Sequence, residues 1–94
     1  MKNDLKILEN IRKDLQELDL QILLLMLERY KLAEGMGNIK KQHNLEIFQE
    51  SEWQRKINFL SAHLEGHPRT EEVLQVFHFI HNQSIEIQKS IQDD

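Results

Sequence analysis

The sequence predicts an all-α protein with three helices per chain, the first of them long. Two patterns support this: apolar residues recur at alternating steps of three and four, and the single proline stands at position 68. Steps of three and four place apolar side chains on one helix face, whereas strands alternate every second residue. Of the 94 residues, 39% are hydrophobic and 30% are charged, which indicates a folded domain rather than a disordered tail.

Helix 1 is predicted over residues 5–41. Gly35 and Gly37 lie within it, but a glycine costs only about 1 kcal/mol relative to alanine and does not have to end a helix. Its apolar residues form a heptad pattern, which comprises Leu8, Ile11, Leu15, Leu18, Ile22, Leu25, Leu32, Met36 and Ile39.

A helix of this length is too long for one small chain to cover. It spans about 50 Å, compared with a diameter of about 26 Å for a compact domain of ~100 residues. The two remaining segments are too short to cover both of its sides, so a second copy of the same helix is the natural partner. We therefore predict an intertwined helical homodimer, in which residues 1–94 form a single domain.

Two shorter helices follow a connection from His43 to Phe48. Helix 2 is predicted over residues 49–65 and ends at Gly66-His67-Pro68. Helix 3 is predicted over residues 70–92, with Thr70 as its N-cap. Their apolar stripes are Trp53, Ile57, Leu60 and Leu64 on helix 2, and Val73, Phe77, Ile80, Ser84, Ile87 and Ile91 on helix 3.

Composition excludes several classes of function. The chain has no cysteine, which excludes disulfides, thiolate nucleophiles and Cys-ligated zinc. A net charge of -4 without a dense basic run argues against nucleic acid as the main partner. The longest apolar run, Ile22 to Leu27, is too short to span a membrane, and the N-terminus lacks the pattern of a signal peptide. We expect a cytoplasmic protein without a membrane partner.

Helix 1 carries an arginine where an apolar residue is expected. Arg29 takes the next place in the column of Leu8, Leu15 and Ile22. A buried guanidinium needs an acidic side chain or an anionic ligand, because an unpaired charge in an apolar interior costs several kcal/mol. The alternatives are a polar residue that sets the register of a coiled coil, or an arginine that reaches solvent.

Two further cations could contact the same ligand as Arg29. Lys40 lies eleven residues beyond Arg29, within roughly 20° of the same helix face, so both could flank one anion. Arg12 lies about 25 Å along the helix from Arg29, so only a second subunit could bring it to the same small ligand. Taken singly, Lys40 is better explained as a solvated lysine near a helix C-terminus, and Arg12 as a surface residue.

Helix 3 places two polar side chains on its inward face. Ser84 interrupts the apolar stripe, and Gln88 follows at i+4. Both need hydrogen-bond partners, which a ligand or a packed helix can supply. The histidines lack further ligands at metal-binding spacing, and no catalytic triad, phosphate loop or dinucleotide motif is present. We therefore expect neither a metal nor a cofactor.

Five segments taken together resemble the all-helical (AroQ) chorismate mutases. They are Ile11-Arg12, Leu18-Asp19, Glu28-Arg29, Gly37-Asn38-Ile39-Lys40 and Ser84-Ile85-Glu86-Ile87-Gln88. The segments Ile47-Phe48-Gln49 with Trp53, and Phe79 to Ser84, are most similar to the version often fused to a DAHP synthase. The resemblance implies that the long helices of two subunits pair, and that each active site takes Arg12 from the other chain.

The resemblance also implies roles for the remaining polar residues. Arg29 and Arg12 would hold the carboxylates of chorismate, and Lys40 and Gln88 would contact the ether oxygen of the breaking bond. Ser84 and Gln49 would complete the polar lining. The implied reaction, a rearrangement of chorismate to prephenate, needs no nucleophile, metal or general base, because orienting the substrate and stabilising the developing charge suffice.

One position departs from the family pattern, at the start of helix 2. The family has an arginine where this chain has Glu52, which reverses the charge. An acid facing inward would repel a dianionic substrate, whereas an acid at a helix N-terminus can face solvent. Arg55, one turn later on the same face, is the cation that could take the place of the missing arginine.

Three alternatives remain open. The chain could be an isochorismate-pyruvate lyase or a 4-amino-4-deoxychorismate mutase, since both resemble this scaffold. It could instead be a non-catalytic dimer that binds a partner enzyme or a ligand of the shikimate pathway, or a structural coiled coil. Glu52 favours the first two alternatives, and the joint presence of the other polar residues argues against a chain without catalytic demands.

Overall fold

The computed structural model describes residues 1–93 and contains three α-helices. They are α1 (Lys2–His43), α2 (Glu50–His63) and α3 (Thr70–Gln92), and the described residues contain no strand. The predicted fold class, all-α with a long first helix, is confirmed. Within the same residues, no helix is both long and apolar enough to cross a membrane.

The chain divides into two compact units, Met1–Lys31 and the residues from Leu32 onward. The first unit is the N-terminal part of α1. The second contains the C-terminal part of α1 together with α2 and α3. That residues 1–94 form one domain stays a prediction.

Helix α1 is longer at both ends than the predicted 5–41, and its end is closed by a specific turn. Lys40, Lys41 and His43 lie in the last turn, where cations offset the negative end of the helix dipole. Asn44 then adopts a left-handed φ of 55°, and Leu45 N–H donates to the Lys40 carbonyl at 2.9 Å. This is a Schellman motif, which satisfies carbonyls that the helix leaves open. The connection therefore begins at Asn44, one residue later than predicted.

Helix α2 is shorter than the predicted 49–65. Gln49 is its N-cap rather than its first residue, and the helix ends at His63. Leu64 N–H bonds back to the Ser61 carbonyl three residues earlier, which tightens the last turn. Gly66 then takes a φ of 75°, which glycine adopts without steric cost, and the chain turns towards α3.

Helix α3 has the predicted bounds, but Thr70 as its N-cap is wrong. The N-cap is Arg69, and Thr70 is the first residue of the helix. The Thr70 hydroxyl donates to the carbonyl of His67 at 2.7 Å and also lies 3.1 Å from that of Leu64. Because this hydroxyl is bound to carbonyls of the preceding turn, it does not cap the N–H groups of the helix.

Burial separates two faces of α1. The stripes predicted on α2 and α3 are half-buried, as expected for helices that pack on each other. The heptad residues of α1 are all exposed, from Leu8 at 40% to Leu32 at 70%. The buried residues of α1 are instead Ala33, Gly37 and Lys40. The C-terminal part of α1 therefore turns small residues and one lysine inward, and leaves its heptad seam uncovered.

Candidate active site

The centre of the candidate site is the ammonium group of Lys40. This side chain is buried, with 9% of the residue exposed. Its Nζ donates to Gln88 Oε1 at 2.8 Å and to the Ile47 carbonyl at 2.7 Å. The ammonium thus joins the last turn of α1, the connection to α2 and the C-terminal half of α3.

The local sequence explains how these groups meet. The turn at Asn44 reverses the chain directly after α1, and the Ile47 carbonyl lies seven residues beyond Lys40 in sequence. On α3, Gln88 is 2% exposed and its Nε2 donates to Ser84 Oγ at 3.2 Å, one helical turn earlier. Ser84, Gln88 and Lys40 therefore form one continuous hydrogen-bonded chain of side chains.

The charge of Lys40 is not neutralised by its partners. Both acceptors are amide oxygens, which carry no net charge. Burial lowers the pKa of Lys40 below its ordinary value, because the charged form loses solvation. An ammonium has three N–H groups and two are used here, so one remains for a further acceptor. An anion placed there would compensate the buried charge.

Arg29 has an incomplete set of hydrogen bonds. The residue is half-buried, and its Nε is buried without a hydrogen-bond partner among the described residues. A buried N–H without an acceptor costs free energy, more so in a charged group. An anionic ligand or a second subunit could supply the acceptor.

The other two cations predicted for the site, Arg12 and Arg55, lie at the surface in weak ion pairs. Arg12 pairs with Glu9 at 3.5 Å, and the two side chains are 64% and 61% exposed. Arg55 pairs with Glu52 at 3.7 Å, with Arg55 79% and Glu52 54% exposed. Exposed pairs of this kind contribute roughly 0–1 kcal/mol, so either arginine can exchange its partner for another anion.

The structure joins some of the predicted site residues by hydrogen bonds, whereas others lie in a different unit of the chain or make no such bond. Lys40, Ser84 and Gln88 are joined directly, whereas Arg12 and Arg29 belong to the first unit. Gln49 is half-buried at the N-cap of α2, and its side chain makes no cap hydrogen bond. That Arg29 and Lys40 flank one ligand stays a prediction.

One contributor to the site has no signal in the sequence. Ile47 takes part through its backbone carbonyl, and its apolar side chain gives no indication of this.

Two histidines also have a defined role: the ring of Trp53 lies 4.7 Å from His78 and 4.1 Å from His81 between ring centroids. These histidines help to pack α2 against α3.

The described residues form three helices, and the buried Lys40 ammonium has two uncharged acceptors among them. A family model described as chorismate mutase type II matches residues 11–89. The chain therefore belongs to the chorismate mutase type II family, as the resemblance in its sequence implied. Searches of curated proteins and of solved structures found no significant match.

The Lys40–Gln88 hydrogen bond can be tested with two variants of opposite effect. Gln88→Glu places a carboxylate beside the ammonium, so we expect the pKa of Lys40 to rise. Gln88→Leu removes an acceptor, so we expect that pKa to fall further and the free energy of unfolding to drop by about 1–3 kcal/mol. NMR titration of the lysine side chains and urea unfolding measure both effects. Equal Lys40 pKa values in the two variants would contradict the assigned hydrogen bond.

Proposed function

We propose that this protein is a chorismate mutase that rearranges chorismate to prephenate in sites shared between two subunits. Membership of the family gives the reaction class. The observation that carries the proposal is the buried Lys40 ammonium, whose two acceptors among the described residues are both neutral oxygens. A cation held in this way attracts a negatively charged group from outside the chain.

The geometry suits a reaction in which negative charge grows on one oxygen. In the rearrangement the ether C–O bond breaks while a new C–C bond forms within the same molecule, and negative charge accumulates on the ether oxygen. The remaining N–H of Lys40 and the second N–H of the Gln88 amide can donate to that oxygen. Both donors are fixed before substrate arrives, which is the condition for effective electrostatic stabilisation.

The substrate carboxylates need further cations. Arg29 has a buried Nε without an acceptor, and a carboxylate would satisfy it with a charge-assisted hydrogen bond. Arg12 is bound only by an exposed pair with Glu9, so it can turn to a ligand held by another subunit. In this proposal Ser84 orients the Gln88 amide, and Gln49 contributes to the polar lining.

The homodimer is supported by the uncovered apolar surface of α1. Large hydrophobic residues are exposed along this helix and on more than one side of it; they include Leu8, Ile11, Leu15, Leu18, Leu20, Ile22, Leu23, Leu24, Leu25 and Leu27. A helix that is apolar on several sides is ordinarily buried. A second copy carries the same apolar surface and also supplies Arg12, so it meets both requirements. A partner enzyme of the shikimate pathway and a place in the cytoplasm stay predictions.

We expect the purified protein to convert chorismate to prephenate, with loss of the diene absorbance of chorismate. Lys40→Met should lower kcat at least about a hundredfold, since a donor to the transition state is lost. Isochorismate and 4-amino-4-deoxychorismate, tested in parallel with product identification, separate the related enzymes. No turnover of any of the three substrates would contradict the proposal and favour a non-catalytic dimer.

The same protein should show opposite effects of pH on turnover and on the Lys40 contribution to stability. Because burial lowers the pKa of Lys40, turnover should fall with rising pH earlier than for an ordinary lysine. In that range the unfolded chain holds more protons at this residue than the folded chain does. The Lys40 contribution to the free energy of unfolding therefore rises with pH. Lys40→Met, compared with the parent by urea unfolding across alkaline pH, isolates this contribution.

Shared sites can be tested by mixing two inactive variants, Arg12→Ala and Lys40→Met. In a mixed dimer one site carries both defects and the other carries neither. With random exchange, activity should return to about one quarter of the parent value. The matched control mixes Lys40→Met with Gln88→Ala, whose defects lie in the site of the same chain, so each site keeps one defect. Equal residual activity in both mixtures would show that Arg12 does not serve the partner's site.

The role of Arg55 is tested against a matched arginine elsewhere on the surface. If Arg55 replaces the family arginine lost at Glu52, Arg55→Ala should raise KM for chorismate roughly tenfold or more through loss of a charged hydrogen bond. Arg69 is the control, because it is also exposed and pairs with an acid three residues later, Glu72, at 3.8 Å. Equal KM values in Arg55→Ala and Arg69→Ala would exclude a substrate contact by Arg55.

A further inference from the structure

At Gly37, α1 lies directly against α3. It is buried on α1, and a Cβ atom at this position would lie 3.0 Å from Ile91 Cδ1 and 3.2 Å from Gln88 Cα. Carbon atoms reach their optimal separation at about 3.5–4.0 Å, so a methyl group does not fit without displacement. The missing side chain of Gly37 is what allows α3 to lie this near.

The glycine is needed for space rather than for backbone conformation. Gly37 lies inside α1 and has no positive φ, so an alanine would suit its backbone. Gly35, two residues earlier in the same helix, is exposed and has nothing within 4 Å of an added Cβ. The two glycines therefore have the same helical backbone conformation. They differ in their surroundings because, among the described residues, α3 lies against Gly37 and nothing lies against Gly35.

The two contacts at Gly37 differ in how easily they yield. Ile91 Cδ1 is the end of a flexible side chain and can rotate away. Gln88 Cα is backbone, so it moves only if α3 moves. One turn further along α1, Lys41 Nζ donates to the Ile91 carbonyl at 3.1 Å, which holds α3 to α1 at a second point.

Gln88 is also the residue whose amide oxygen accepts from Lys40 at 2.8 Å. Any shift of the α3 backbone at Gln88 is therefore passed to the partner of the ammonium. We infer that Gly37 is a positioning residue, which sets the spacing between α1 and α3 so that Gln88 and Lys40 meet in the geometry needed for catalysis. For its catalytic consequence this inference rests on the proposed function.

The test compares Gly37→Ala with Gly35→Ala, which make the same chemical change in the same helix. In Gly37→Ala we expect kcat for chorismate to fall about ten- to a hundredfold while KM stays within twofold, because the affected groups act on the transition state. Gly35→Ala should keep parental kcat and KM. Equal kcat in the two variants would overturn the inference, as would a rise in KM alone.

A second measurement does not depend on activity. Exchange of the Lys40 ammonium protons with water can be followed by NMR of nitrogen-15-labelled protein, and we expect it to be slow while both acceptors are in place. It should become several-fold faster in Gly37→Ala and remain parental in Gly35→Ala. If the parent turns over no chorismate, the proposed function fails, and this exchange rate still decides whether Gly37 positions the pair.

A double variant separates the backbone contact from the side-chain contact. Gly37→Ala combined with Ile91→Val removes the Cδ1 atom but leaves Gln88 Cα in place, so kcat and proton exchange should remain impaired. Parental values in the double variant would assign the constraint to Ile91 and overturn the inference. Should Gly37→Ala alone not fold by circular dichroism, the double variant carries the same measurements with one contact fewer.

Discussion

A buried ammonium group must be satisfied by hydrogen-bond acceptors, and at Lys40 this requirement connects three separate parts of the chain. Its acceptors are the Gln88 side chain on α3 and the Ile47 carbonyl in the connection after α1. Because neither acceptor is charged, the protein solvates the cation without neutralising it. The hydrogen bonds that join these segments thus leave the positive charge of Lys40 in place. Burial lowers the pKa of Lys40, because its charged form loses solvation.

The chemistry of the proposed reaction matches what the site contains. A rearrangement within one molecule transfers no group to the protein, so rate enhancement comes from orientation and from donors directed at developing charge. Neutral acceptors suit this purpose, because a carboxylate beside Lys40 would offset the charge that the ether oxygen needs. The Ser84 hydroxyl accepts from the Gln88 amide and so fixes its orientation.

The proposed function assigns two arginines of α1 to the substrate carboxylates. Arg29 has a buried nitrogen without an acceptor, and Arg12 has only an exposed pair. Both lie on α1, whose apolar heptad residues are also exposed. Pairing of two such helices would bury apolar surface and bring in the second arginine, so assembly and substrate binding would depend on the same helix. Glu52, which stands where the sequence resemblance implies an arginine, pairs with Arg55 at the surface at 3.7 Å.

The sequence alone determined the three helices and their order, because apolar periodicity is a local pattern. The family came from the resemblance of its spaced polar segments to the all-helical chorismate mutases, which the family model confirms. It also placed Ser84 and Gln88 on one face, since i and i+4 lie one turn apart. The ends of α1 and α2 and the N-cap of α3 differ from the prediction, because the Asn44 turn and the hydrogen bonds of the Thr70 hydroxyl depend on where backbone carbonyls lie. Only the tertiary structure showed that Ile47 accepts from Lys40 and that Gly37 faces Gln88. Contacts between residues far apart in sequence depend on how the segments pack. The partner of a backbone carbonyl, or of a glycine without a side chain, cannot be predicted from the identity of the residue.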